Sequence, residues 1–394
     1  MTEPNGESEP SLLGGPGGPG STPPPVVGPE TDPALEFARI QRRNLRVVAG
    51  VVVGLIVMVI IGGFTYRTPY VALIPGSARD TEPLVEVSGV EEYPSEGELL
   101  FTTVRLRSRP NLWNYLWLTA DDDARIVPEE VIYGDRTADE NREVNLQAMT
   151  DSKELAVAVA LEELGYEAIT PDGVFVASVV DGTAADGVLR VGDVIVAIDE
   201  VAVVTDTELV ALLGSYDPDD RILLSVERFG QSEAEDVVVV LGARDDDPTA
   251  AFLGIGPQTR FDLIDDYPFD VEIDSGSVGG PSAGLAFTLA VLDQLTPGEL
   301  TGGAQVAVTG TITVDGRVGS VGGVPQKAAA VRDLGVRVFI VPAAIGEEAI
   351  AEVRERAGDD LEIIPVSTLG EALAALQKLG GDTGAVEEFA AGNL

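Results

Sequence analysis

Ser282 and Lys327 are the two residues whose types and settings suit acyl-transfer chemistry. The 394-residue chain contains no histidine and no cysteine. That removes every Ser-His-Asp or Cys-His triad, every imidazole or thiolate metal ligand, and every disulfide. A serine hydroxyl still needs a base, and lysine is the remaining well-attested choice. Such a lysine must be neutral near pH 7, so burial or a positive neighbour must lower its pKa by several units. The last 150 residues hold two lysines. Lys378 lies near the end of a helix, where the dipole favours a cation and solvent is near. Lys327 lies in the first turn of a helix, where the dipole disfavours the ammonium form, and Ala328-Ala329-Ala330-Val331 follow it. Ser282 also starts a helix, after Gly279-Gly280-Pro281. Glycines there admit a second backbone, and free N–H groups from Gly280 to Ala283 are candidate oxyanion donors. Singly, each feature has a plain structural reading: a helix-start serine is usually a cap and a helical lysine is usually solvated. A phosphate loop is unsupported, because no G-x-x-x-x-G-K-[ST] occurs.

The elements that must position this pair alternate between strand and helix. The pattern predicts a strand over 271–273, a glycine-rich loop DSGSVGGPSAG, and a helix from Pro281 to about Leu295. That helix is apolar on all sides (LAFTLAVL) and is expected to be buried. Strands follow at 304–309 and 311–314, then a helix at 325–334, a strand at 336–341, a helix at 346–357 and a strand at 361–366. Thr368 with Glu371 reads as a capping box for a last helix ending at Leu379. The acidic segment 244–248 reads as a linker, which gives a domain over 244–385 and a tail over 386–394.

The run GGPSAGLAFTLAVLDQLT…VAVTGTITVDGRVGSVGGVPQKAAAVRDLGVRVFIVP closely resembles the proteolytic domain of Lon-type serine proteases. The shared pieces are P-S-A-G at 281–284, T-G-x-I at 309–312, G-x-V at 316–318, Gly322-Gly323 and Lys327. The resemblance implies an α+β protease fold, with Ser282 as nucleophile, Lys327 as general base and Thr309 orienting the lysine. It implies no cofactor and no metal. Two departures stand out. Gly279 occupies the place where many such proteases carry an aspartate, with Glu272 and Asp274 lying farther upstream, and Pro325-Gln326 precedes the lysine instead of Lys-Glu. No ATPase domain precedes the protease domain, so ATP-independent cleavage is the expectation. In this family protease domains often form rings, which leaves a homo-oligomer open.

Ahead of that domain the texture is one of short strands and tight turns over 165–243. The pattern VFVASVV…GTAADG-VLRVGDVIVAIDEVAV resembles a PDZ domain of the bacterial protease type. Such domains bind an extended peptide by adding it as a strand beside their helix. Gly165-Tyr166 stands where a carboxylate-binding loop would lie, without the usual alternation of glycine and apolar residues. Residues 67–164 carry strand-like pieces at 70–74, 100–106 and 113–118, then the helical stretch KELAVAVALEEL at 153–164. That helix is similar to the one preceding the serine motif in Lon domains. On that likeness residues from about 89 to 164 pack with the protease domain and the PDZ unit is an insertion.

Residues 1–46 read as a disordered tail of Pro, Gly, Ser and acid that ends in a basic flank. Residues 47–66 carry no charge and are long enough to cross a bilayer as one helix. Arg39, Arg42, Arg43 and Arg46 crowd the first flank, against Arg67 on the second. The positive-inside rule then keeps the N-terminus cytoplasmic and sends residues 67–394 outside. The net charge is −41, from 25 basic and 66 acidic residues, which argues against nucleic acid as a partner. The combined expectation is a single-pass membrane serine endopeptidase acting on protein or peptide substrates, some bound through the PDZ domain. The alternative is a catalytically silent PDZ scaffold that tethers exported partners.

Overall fold

The computed structural model describes residues 33–134, 136–231, 233–244, 246–264, 267 and 269–392. The expected tail over 1–32, residue 245 of the expected linker and residues 393–394 lie outside the described residues. The chain divides into two compact units, one through Thr65 and one from Tyr66 onward.

The described part of the first unit is one helix, α1 (Pro33–Thr65). Residues 33–46, read from sequence as tail, are helical here. The reason is local: Ala, Leu, Glu, Gln and Arg dominate the segment, and Pro33 stands at the first helical position. Arg39–Thr65 is long and apolar enough to cross a membrane.

The described second unit contains two main sheets, the larger with six strands in line and the smaller with five in line plus the short strand Val201–Ala202, and three two-stranded ribbons. Its first strands are β1 (Tyr70–Asp80), β2 (Val85–Ser88) and β3 (Glu98–Ser108), followed by α2 (Leu112–Leu118), β4 (Arg125–Pro128) and α3 (Ala138–Glu163). The segment 113–118, expected as a strand, is therefore a helix. The Asn111 side chain accepts from Asn114 N and caps the first turn, and that local bond outweighs the β preference of Trp and Tyr. Next come β5 (Ile169–Val179), β6 (Val194–Ile198), α4 (Asp206–Leu213), β7 (Arg221–Glu227), β8 (Ala234–Val240) and β9 (Ile255–Leu263). The chain ends with β10 (Asp270–Ile273), α5 (Gly284–Leu295), β11 (Gln305–Val308), α6 (Val324–Asp333), β12 (Val338–Pro342), α7 (Glu347–Ala357), β13 (Glu362–Val366), α8 (Leu369–Lys378) and α9 (Gly384–Ala390).

The larger sheet has the order β13-β12-β11-β3-β1-β4. Its parallel half, β3 to β13, joins strands about 200 residues apart through the β3–β11 register Leu99↔Val306. Apolar residues on both faces make this half a buried layer. On one face Phe101 packs on Phe287 at 5.7 Å between centroids, within a core that also takes Met149 and Leu161 of α3 and Leu373 of α8. On the other face Leu100 and Phe339 meet Val331 of α6 and Val353 of α7. All twelve residues of α5 are buried, as its uniform hydrophobicity requires. Residue 386, read as the start of a tail, lies instead in α9, where Val386 is 1% exposed in the same core.

The smaller sheet runs β9-β5-β6-β7-β8 over its own core of Val176, Ile195, Leu209 and Leu224. Strand β9 falls after the expected linker, yet it pairs antiparallel with β5 from Ile255↔Val179 to Leu263↔Ile169. The smaller sheet therefore extends past residue 243. This pairing joins residues 76 to 94 positions apart, beyond the reach of any local periodicity.

Candidate active site

Ser282 lies in a short 3-10 turn, Pro281–Ala283, that leads into α5. Lys327 lies in the first turns of α6, whose start is set by Gly323 in a left-handed conformation. The two side chains meet: Lys327 Nζ is 2.8 Å from Ser282 Oγ. Lys327 is 1% exposed, and its ammonium face is turned to Thr309 Oγ1 at 2.7 Å. Thr309 donates its own hydroxyl proton to the Ser282 carbonyl at 3.1 Å. Its oxygen is then free only to accept, so it fixes one Lys327 N–H and leaves the amine lone pair for Ser282. Burial lowers the Lys327 amine to about 7. Among the described residues burial is the cause acting on this amine, and Asp274 accepts from Gly276 N at 2.8 Å. With glycine at 279, the partners of the Lys327 amine among the described residues are the neutral hydroxyls of Ser282 and Thr309.

The backbone around the serine is clamped. Gly310 N donates to Ser282 O at 3.0 Å, and Leu285 N donates to Gly310 O at 3.1 Å. Gly310 has φ +150°, and a Cβ there would lie 2.6 Å from Val318, so only glycine fits. The second backbone that approaches Gly279 is that of Asn145 on α3. Gly280 N donates to Asn145 O at 2.7 Å. Of the N–H groups from Gly280 to Ala283 considered as oxyanion donors, the one on Gly280 is therefore already engaged. Ser282 N, in the first turn, and Ala283, which is buried, remain beside the nucleophile.

Three α3 residues that sequence reasoning did not single out hold this loop. Besides Asn145, Ser152 Oγ donates to Pro281 O at 3.1 Å, and Lys153 Nζ donates to Ile273 O at 2.9 Å. Residues 145, 152 and 153 share one helix face, and Ser152 sits among Met149, Ala156 and Val159. A serine interrupting a buried apolar stripe was the available signal.

In the smaller sheet, β9 pairs with β5 alone among the described strands, so its other edge is open. Helix α4 lies beside β9: Asp206 N donates to Thr259 Oγ1 at 3.0 Å. The glycine–apolar alternation that Gly165-Tyr166 lacks is present at Gly254-Ile255-Gly256, at the head of β9. That loop is tied down by Val180 N to Gly254 O and Ala185 N to Leu253 O, each at 2.9 Å.

Two families match stretches of this chain. Residues 258–378 match the Lon protease (S16) C-terminal proteolytic domain, and residues 159–241 match the PDZ domain. The chain therefore carries a domain similar to the Lon proteolytic domain and one similar to the PDZ domain. The Lon protease of Chloroflexus aggregans is 34% identical over 126 residues, which are 32% of this chain and 14% of that protein. The Lon protease of Rhizobium meliloti is 33% identical over 114 residues, which are 28% of this chain and 14% of that protein. The chain thus spans about one seventh of the length of these relatives. Among solved structures, the PDZ domain of an SdrC-like protein from Listeria monocytogenes is 32% identical over 22% of this chain and 90% of that chain, at a TM-score of 0.21. Strand pairing draws the borders differently from the family matches. Residues 258–263 belong to the smaller sheet, and residues 159–163 to helix α3 of the larger core.

Proposed function

We propose that this chain is a membrane-anchored serine endopeptidase that works through a Ser282–Lys327 dyad without hydrolysing ATP. The observation that carries the reading is a buried amine 2.8 Å from the serine hydroxyl, with its pKa lowered to about 7 by burial. Ser282 Oγ attacks the peptide carbonyl while neutral Lys327 takes its proton. The ammonium then protonates the departing amine as the C–N bond breaks, leaving an acyl ester on Ser282. Water, giving a proton to Lys327, adds to the ester; the lysine then returns that proton to Ser282 Oγ as the C–O bond breaks, releasing the acid. Thr309 orients the lysine. Backbone N–H groups beside Ser282, with Ala283 among their carriers, stabilise the oxyanion.

The proposed division of labour follows the packing. Residues 67–164 and 269–392 contribute to one protease core, and the PDZ unit between them is an insertion that presents peptides along β9 beside α4. Residues 47–66 anchor the chain, and the arginines at 39, 42, 43 and 46 on its flank keep the N-terminus in the cytoplasm. Substrates are flexible or unfolded segments, since the chain has no nucleotide-binding loop to drive unfolding.

The test is cleavage of an unfolded protein by the full chain in detergent micelles, with and without ATP. Wild type cleaves at the same rate in both, while Ser282→Ala and Lys327→Ala do not cleave. Equal cleavage by wild type and both variants overturns the dyad. Cleavage only with ATP overturns the energy independence. Failure of a fluorophosphonate to label Ser282 would leave the scaffold reading in its place.

A further inference from the structure

Away from Ser282, a groove of about 870 Å³ separates α3 from the two-stranded ribbon β2–β10. The ribbon's pairing fixes which way its peptide groups point. Asp274 N donates to Leu84 O, so the partners Glu272↔Glu86 and Asp270↔Ser88 face each other inward. Val271 and Ile273 then turn their N–H and C=O outward on β10. The Ile273 carbonyl takes Lys153 Nζ from α3 at 2.9 Å, which marks that edge as the one facing the groove. At Val271 the edge has no pairing strand among the described residues. A strand edge facing a helix across an open groove is the geometry in which an extended peptide adds to a sheet.

The groove's chemistry selects its occupant. Val157 and Leu161 of α3, with Phe269 and Val271, give it an apolar floor. Glu86, Glu154, Asp270 and Glu272 stand around it, all exposed. Among the described residues the one cation lining it, Lys153, is bound to the Ile273 carbonyl. A second copy of a chain with net charge −41 is repelled from such a rim. We propose that this groove binds an extended polypeptide segment whose apolar and basic residues alternate, added as a third strand along β10. The site is independent of the catalytic reading and of the PDZ unit's β9 edge.

The experiment is fluorescence anisotropy with the full-length Ser282→Ala chain in detergent micelles, so that cleavage plays no part. The probes are labelled, C-terminally amidated decapeptides alternating Lys with Val, Glu with Val, or Lys with Gly. The Lys–Val peptide binds at least tenfold more tightly than the other two, and 0.5 M salt weakens it. Glu154→Lys/Glu272→Lys reduces binding at least tenfold with an unchanged melting temperature, as does Val271→Pro, which removes the edge donor. Should Val271→Pro fail to fold, the charge reversal alone decides. Equal binding of the basic and acidic peptides, or binding untouched by the charge reversal, overturns the proposal. So does concentration-dependent self-association abolished by the same reversal, since the occupant would then be a second copy.

Discussion

Ser152 Oγ donates to the carbonyl of Pro281, 129 residues away, at 3.1 Å. This bond, with Asn145 O holding Gly280 N, makes α3 a brace for the turn that presents Ser282. Removing it costs about 1 kcal/mol of stability and leaves the Pro281 carbonyl held by the Gly284 N–H alone. Ser152→Ala is expected to lower kcat about tenfold with little change in KM, since a displaced nucleophile affects the chemical step and not substrate contact. Steady-state kinetics on an unfolded substrate measure both. Unchanged kcat would show that the turn keeps its position without the brace.

The buried lysine sets the pH dependence of cleavage. Because the amine titrates near 7, kcat/KM rises with pH through that value and levels off above it. Thr309→Val removes the acceptor of the Lys327 N–H and lowers activity about a hundredfold, while Thr309→Ser restores most of it. Lys327→Arg, which cannot deprotonate, is inactive across the range. An acid limb at the same pH in Lys327→Arg would assign that limb to another group.

The same burial weakens the fold at neutral pH. Between about 7 and the ordinary lysine value of 10.5, the unfolded chain binds one proton more than the folded one. Unfolding free energy therefore rises with pH in that window, by about 1.4 kcal/mol per unit from this group. Lys327→Met flattens that slope and stabilises the protein at pH 7 by roughly 2–4 kcal/mol while abolishing cleavage. Urea titrations of both proteins at pH 7 and pH 9 read the difference. Parallel pH dependence in the two would exclude a lysine kept neutral by burial.

Asp293 acts with the opposite sign. Burial pushes its carboxyl up to about 6, and the nearby Glu299 charge adds to this, against the Leu300 N–H bond that favours ionisation. Between 3.8 and 6 the folded chain holds the extra proton, so this group's contribution to stability falls as pH rises. Asp293→Asn keeps an acceptor for Leu300 N and removes the penalty. It is expected to raise the melting temperature at pH 7 more than at pH 4.5. An equal shift at both values would show that ionisation of Asp293 has no energetic role.

Much of the site follows from residue types and short spacing. With histidine and cysteine absent, serine chemistry needed lysine, and Lys327 differed from Lys378 by its helix position and its alanine neighbours. Helix α5 was readable because its apolar residues cover every face, and α8 because Thr368 caps it by accepting from Glu371 N. These are properties of a few consecutive residues, and the chain displays them without knowing where it will fold.

Tertiary structure decided the rest. Strand β9 joins a sheet begun more than 80 residues earlier, Asn145 and Ser152 grip a loop more than 120 residues downstream, and Val386 completes a core otherwise built from distant segments. Trp113–Leu118 is rich in strand-favouring Trp and Tyr yet turns as a helix, with one asparagine capping it. The lysine's loss of basicity is likewise a property of the packed interior: only enclosure by residues from several elements withdraws the water that would keep its proton in place.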